Sequence, residues 1–272
     1  MPELPEVETT LRGIEPHLVE QTVARIDVRQ PKLRWPITPE LMSEMQGQVV
    51  THLTRRGKYI GIHTAVGTLI IHLGMSGSLY FVEPGTEPLF HDHVDFRFAG
   101  DGPWLRYTDP RRFGAVLWTK NNWLDHELLA HLGPEPLSEQ FNIDYLYQKA
   151  KGRKVAIKSF IMDSKVVVGV GNIYANEALF MAGIRPTRMA GNISKARYAV
   201  LLECIKTVLA AAIKQGGTTL KDFVGGDGKP GYFKQELAVY GRANEACITC
   251  GTVLKEIRQG QRSTVYCSKC QT

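Results

Sequence analysis

Four of the five cysteines fall in the last 26 residues, as Cys247-x2-Cys250 and Cys267-x2-Cys270 with sixteen residues between the pairs. Two such knuckles each bring two thiolates to one tetrahedral ion, and a segment this short needs that ion to hold a fold. The spacing predicts a zinc ribbon with four protein ligands and no open position, so the Zn²⁺ is expected to be structural. The intervening residues predict strands at Thr252–Ile257 and Ser263–Tyr266, joined by the turn Arg258-Gln259-Gly260-Gln261. Arg258, Gln261 and Arg262 then lie at or near the tip, where a guanidinium can fork onto phosphate or a base edge. A solvated turn is the plain alternative. Clustered cysteines of this kind are not a secreted disulfide framework. Cys204 sits within a helical pattern and is expected as a buried thiol.

Upstream, the hydrophobic period changes twice. Residues 2–15 predict a helix with Val7 and Leu11 on one face. From Gln21 to about Thr119 come short β-rich runs broken by Gly, Pro and Asp: Thr22–Val28, Tyr59–His63, Thr68–Leu73, Val94–Phe98 and Ala115–Trp118. They predict a β-sandwich. Leu132-Gly133-Pro134-Glu135-Pro136 is a boundary signal. Beyond it, residues 143–151, 155–163, 172–182 and 194–214 have helical spacing. A glycine-dense stretch from Lys214 to Tyr232 follows. The fold class expected is α+β and multidomain: a catalytic N-terminal β-sandwich domain over 1–133, a helical domain over 134–236, and the ribbon over 237–272.

With 272 residues and 43% hydrophobic content, the chain can build real cores, and its formal charge of +6 suits a polyanionic partner. No apolar run is long enough to span a membrane, and the start lacks a signal-peptide layout. A cytoplasmic protein is expected.

The first nine residues are Met-Pro-Glu-Leu-Pro-Glu-Val-Glu-Thr. Removal of Met1, which a small second residue permits, would leave Pro2 as a free secondary amine. An α-amino group titrates near pH ~8, so a usable fraction is nucleophilic at neutral pH and able to form an iminium with a sugar C1′. Glu3 and Glu6 would supply proton transfer beside it. The competing reading is a capped helix start.

Further motifs are distributed along the chain. Arg55-Arg56-Gly57-Lys58-Tyr59 places Lys58 at a strand entry. His72-Leu73-Gly74-Met75-Ser76-Gly77 and Asp109-Pro110-Arg111-Arg112-Phe113-Gly114 each put a side chain suited to filling a base stack on a glycine-bearing turn. Met75 and Phe113 as ordinary core residues are the alternative. Gly169-Val170-Gly171-Asn172-Ile173-Tyr174 runs into a helix start without the strand–helix–strand unit of a dinucleotide site. It suits a helix–turn–helix junction that offers amides and Asn172 to a phosphate.

Together, and in this order, these motifs resemble the formamidopyrimidine-DNA glycosylases, the bacterial 8-oxoguanine repair enzymes, over essentially the whole chain. The resemblance implies a helix-two-turn-helix domain and a bifunctional glycosylase and abasic-site lyase. Its partner would be duplex DNA containing oxidised bases or abasic sites, met by a monomer with one structural Zn²⁺ and no other cofactor. It implies Pro2 as nucleophile and Glu3 as general acid/base, with Glu6, Lys58 and Arg262 in the catalytic set. It implies Met75, Arg111 and Phe113 filling the void left by an extruded base, with Arg111 facing the orphaned partner. His72, His93, Lys158, Asn172, Tyr174 and Arg262 would contact DNA, and 218–232 would form the loop that closes on the flipped base. Cys247, Cys250, Cys267 and Cys270 would hold the zinc. Two other classes remain open: the sister glycosylase for oxidised pyrimidines, whose members start Pro-Glu-Gly-Pro, and a non-catalytic zinc-ribbon DNA-binding protein.

Overall fold

Helix α1 (Leu4–Leu18) opens the chain on a capping box: the Glu3 backbone N–H donates to Glu6 Oε2 at 2.9 Å, and the Glu3 side chain accepts from the Glu6 amide. Pro5 suits the first turn, where its missing N–H costs nothing. The helix runs past Pro16 to Leu18, three residues beyond the expected end. Ile14 and Leu18 are fully buried, and burying a leucine is worth roughly 2 kcal/mol. That gain favours completing the last turn.

The computed structural model describes residues 2–216 and 237–272, so the glycine-dense stretch expected to close on a flipped base lies outside the described residues. The described chain forms two compact units, residues 2–131 with 215–216, and residues 132–214 with 237–272.

In the first unit, β1 (Val23–Val28), β5 (Ser78–Val82), β6 (Asp92–Phe98) and β7 (Trp104–Thr108) make an antiparallel sheet ordered β1-β6-β7-β5. A second sheet, ordered β2-β3-β4-β8, is built from β2 (His52–Arg56), β3 (Tyr59–His63), β4 (Thr68–His72) and β8 (Ala115–Thr119). One core joins α1 to both sheets, through Val7, Leu11, Ile14, Leu69, Ile71, Leu79, Val94 and Phe96 among others. A single-turn helix α2 (Leu41–Met45) buries Leu41 and Met45 in that core.

The second unit holds α3 (Ile143–Ala150), α4 (Ile157–Ile161), α5 (Asn172–Met181) and α6 (Lys195–Lys214), with α5 packed along α6. Its hairpin pairs β9 (Lys255–Gln259) with β10 (Arg262–Tyr266). The hairpin register puts Gln259 opposite Arg262, so the turn is only Gly260-Gln261, with φ of +53° and +62°. The expected four-residue turn is thus corrected to a tight two-residue one, whose left-handed pair matches strand twist. Asn176, fully buried, accepts from the Val265 amide at 3.1 Å and locks β10 against α5.

Candidate active site

The N-terminal chemistry is buried. Glu3 is 1% and Glu6 0% exposed, and Pro2 is buried beside them. Glu6 spends one carboxylate oxygen on the Glu3 amide, so it fixes the backbone on which Pro2 and Glu3 sit. Lys58 lies in the two-residue turn Gly57-Lys58 between β2 and β3, where Gly57 takes φ +59°. Arg55 in β2 donates to Glu8 Oε2 at 2.7 Å and to the Gly57 carbonyl at 2.9 Å. One guanidinium therefore ties the Lys58 turn to the helix that follows Pro2 and Glu3. Sequence reasoning gave neither Glu8 nor Arg55 a role.

His72 closes β4 opposite Tyr59, the rings 4.7 Å apart, and its Nδ1 accepts from the Gly74 amide at 3.1 Å. Burial, with the positive charges of Lys58 and Arg34, pushes its imidazole down to about 4. His72 is therefore neutral at pH 7 and an acceptor toward its own turn.

Met75, Arg111 and Phe113 are brought to one surface of the first unit. Met75 is 36% and Phe113 42% exposed, and the Arg111 guanidinium lies 4.9 Å from the centre of the Phe113 ring. The two turns touch through glycine: a Cβ on Gly74 would lie 2.5 Å from the Gly114 amide, and one on Gly114 would lie 1.8 Å from the Tyr107 hydroxyl. His93 is 5% exposed, and its Nε2 bonds the Asp109 carbonyl at 2.8 Å, so its ring supports the Arg111 turn.

In the second unit, Asn172 begins α5 immediately after Gly171, and its buried Oδ1 has no hydrogen-bond partner. The first-turn amides of α5 and this side chain lie at the positive end of the helix dipole. Tyr174, two residues on, is 1% exposed. Lys158, also 1% exposed, donates to the Ser263 carbonyl at 2.9 Å and to Thr264 Oγ1 at 2.6 Å. A cleft of about 190 Å³ lies alongside, lined by Lys158, Ser159, Met162, Gln259, Gly260 and Arg262. Two cations, a hydroxyl and a hairpin turn around a space of that size suit a phosphate group. Glu177, one turn of α5 beyond Ile173, accepts from the amides of Ala238, Val239 and Tyr240 at 2.8–3.0 Å. It pins the segment leading into the ribbon, a role invisible without the fold.

The four sulfurs of Cys247, Cys250, Cys267 and Cys270 lie within 4.8 Å of one another, with Cys247–Cys270 at 3.9 Å and Cys250–Cys267 at 3.5 Å. Zn–S bonds of about 2.3 Å in a tetrahedron put sulfurs about 3.8 Å apart. The donor set fits one Zn²⁺, with every position filled by thiolate.

Three family models cover the chain: the formamidopyrimidine-DNA glycosylase N-terminal domain over residues 1–116, its H2TH domain over 132–224, and a zinc finger found in FPG and IleRS over 244–272. The formamidopyrimidine-DNA glycosylase of Marinomonas sp. (strain MWYL1) is 78% identical over 272 residues, all of both chains. The Lactococcus lactis FPG mutant G226P, solved with a Fapy-dG containing DNA, superposes with a TM-score of 0.92 at 31% identity over all of both chains. MutM in complex with carbocyclic 8-oxo-G containing DNA matches with a TM-score of 0.92 at 32% identity, again over the whole of each. From its first helix to its zinc ribbon, the chain belongs to the formamidopyrimidine-DNA glycosylase family.

Proposed function

We propose that this chain is a bifunctional DNA glycosylase and abasic-site lyase. It removes oxidised purines, 8-oxoguanine opposite cytosine and formamidopyrimidines, from duplex DNA in base excision repair. The observation that carries the reading is membership of the family over the full chain. The burial of Pro2, Glu3 and Glu6 together at the start of α1 supports it. A cytoplasmic location goes with a DNA substrate, and no helix among the described residues is long and apolar enough to cross a membrane.

The chemistry follows from a secondary amine. With Met1 removed, the Pro2 nitrogen attacks C1′ as the glycosidic bond breaks; the base departs with the bonding pair and takes up the proton that the amine gives up. Glu3 delivers a proton to the sugar ring oxygen, the ring opens, and the nitrogen lone pair completes an iminium. That cation acidifies the C2′ hydrogens. Loss of one expels the 3′ phosphate, and a second elimination expels the 5′ phosphate. Lys58, Asn172 and Arg262 grip phosphates around the lesion, Lys158 lies near the DNA backbone, and Met75, Arg111 and Phe113 occupy the void, with Arg111 toward the orphaned cytosine. Zn²⁺ holds the ribbon that carries Arg262.

Borohydride trapping on a duplex with one 8-oxoguanine opposite cytosine tests the reading. A covalent adduct, absent from Pro2→Gly and stronger than on a thymine glycol duplex, is expected. No adduct and no strand cleavage from zinc-loaded protein with Met1 removed would overturn it. A preference for thymine glycol would move the chain to the pyrimidine class.

A further inference from the structure

The Met75 turn and the Arg111–Phe113 turn lie more than thirty residues apart in the chain, yet one hydroxyl joins them. Ser76 Oγ donates to Asp109 Oδ1 at 2.7 Å and accepts from the Arg111 amide at 3.1 Å. Asp109 is fully buried, and its other oxygen accepts from the Gly114 amide at 2.8 Å and the Tyr107 hydroxyl at 3.2 Å. Its backbone is held as well. The amide donates to the His91 carbonyl, the carbonyl accepts from Arg112 across the Pro110 turn, and His93 bonds the same carbonyl. Arg112 takes φ +53°, a left-handed conformation that an arginine adopts only under constraint. The carboxylate therefore brackets the second turn at both ends, through Asp109 itself and through Gly114, and Ser76 carries that fixity to the residue after Met75.

We infer that Ser76 and Asp109 are positioning residues that make Met75, Arg111 and Phe113 a single rigid wedge, so that insertion of Met75 and interrogation of the orphaned base by Arg111 occur together. The inference rests on the void-filling reading of those three side chains. Its physical content is preorganisation. Two exposed turns free to move separately would each lose conformational entropy on entering the base stack, whereas a clamped pair loses it on folding. Cutting the Ser76 hydroxyl leaves no buried charge unpaired. Asp109 keeps Gly114 and Tyr107, and the loss falls on the Arg111 amide.

The test uses full-length, zinc-loaded protein with Met1 removed, under single-turnover conditions. A duplex carries 2-aminopurine beside 8-oxoguanine:cytosine and reports insertion by its fluorescence rise. A second duplex carries a preformed abasic site, whose sugar has no stacked base to extrude. Ser76→Ala is expected to slow both the fluorescence rise and base excision about tenfold, the loss expected for one positioned hydrogen bond. Cleavage of the abasic duplex and the melting temperature stay close to those of the parent, and Ser76→Thr, which keeps the hydroxyl, recovers most of the rate. Combined with Met75→Ala, Ser76→Ala adds little further loss, because the two act on one step. Normal insertion by Ser76→Ala alongside slow insertion by Met75→Ala would overturn the clamp and leave the wedge standing. Normal insertion by Met75→Ala, Arg111→Ala and Ser76→Ala alike would overturn both. A uniform loss on both duplexes with a lowered melting temperature, unrelieved by Ser76→Thr, would mark Ser76 as merely structural and also overturn the inference.

Discussion

Arg55 and Glu8 form an ion pair of 2.7 Å whose side chains are 14% and 17% exposed. Burial raises the Glu8 carboxyl, but Arg55 and then Arg12 more than offset this and hold it below the ordinary range. The pair connects the helix behind Pro2 to the hairpin that carries Lys58, so it is expected to set the geometry around the Pro2 amine. Arg55→Met keeps the stem and removes the fork. It is expected to cost about 2 kcal/mol of stability, as hydrogen bonds to charged groups do. Borohydride trapping should slow about tenfold, as a misplaced nucleophile demands. Arg12→Ala is the control, because Arg12 is 62% exposed in its pair with Glu8 and should cost under about 0.5 kcal/mol. Equal losses from the two variants in unfolding and trapping would refute the connection.

Most of the elements were legible because their sequence periodicity is clean; those that escaped had a reason. β7 carries Arg106 at its centre, where a charge argues against a buried strand, yet Arg106 is 2% exposed. β2 ends in Arg55-Arg56, a basic run that reads as a solvated face at a strand edge until its pairing with β3 is seen. The grouping of Pro2, Glu3 and Glu6 was legible because they are local in sequence and Glu3 and Glu6 have the i, i+3 spacing of a capping box. The Ser76–Asp109 clamp and the Glu177 nest were not, because each joins residues 33 or more apart that only the fold brings together. The burial of His93 and Tyr174 was hidden for a related reason: a motif gives the residue, and its burial is a tertiary property.

The charge that hid β7 makes its own prediction. Arg106 donates to both oxygens of Asp95 at 2.8 Å, to Asp92 at 3.1 Å, and to the Thr86 and Glu87 carbonyls. Arg29 grips Asp95 from the other side. Burial raises the Asp95 carboxyl, and Arg106 and Arg29 outweigh it, so the acid stays ionised. Removing Asp95 leaves the buried Arg106 with Asp92 as its one remaining carboxylate among the described residues and takes the carboxylate from Arg29. Asp95→Ala should cost about 3 kcal/mol or more in urea unfolding. A cost below that of Arg12→Ala would mean that the network contributes nothing net.

Stability should also depend on acid through two histidines. Burial, aided by the neighbouring positive charges, pushes His63 and His72 down to about 4 from an ordinary 6.5. Between those values the unfolded chain binds protons that the folded one refuses, so stability rises with pH across the window and falls as pH drops from 6.5 toward 4. Unfolding near pH 5 should therefore take up nearly two protons on their account, roughly one per histidine. His63→Gln should remove its share. Its ring is bonded to Thr54 and Thr68 and stacked 4.3 Å from His52. Calorimetry in buffers of different ionisation heat measures the uptake. An unchanged uptake in His63→Gln would show that its ring titrates normally.

The ribbon's small core sets the last expectation. Val239, Leu254 and Val265 are buried around Cys247 and Cys267, a cluster too small to hold a hairpin without its ion. Removing Zn²⁺ should free the β9–β10 turn, and with it Arg262, from the cleft it shares with Lys158. Chelation is expected to release one zinc per chain and weaken duplex binding at least tenfold, a loss that re-addition of the metal reverses. The pH-dependent unfolding of the first unit should not change, because His63, His72 and the Asp95 network lie within its core and sheets. A zinc-depleted protein that binds the lesion duplex as tightly as the loaded one would show that the hairpin holds its shape by packing alone, and Arg262 would then need no metal to reach a phosphate.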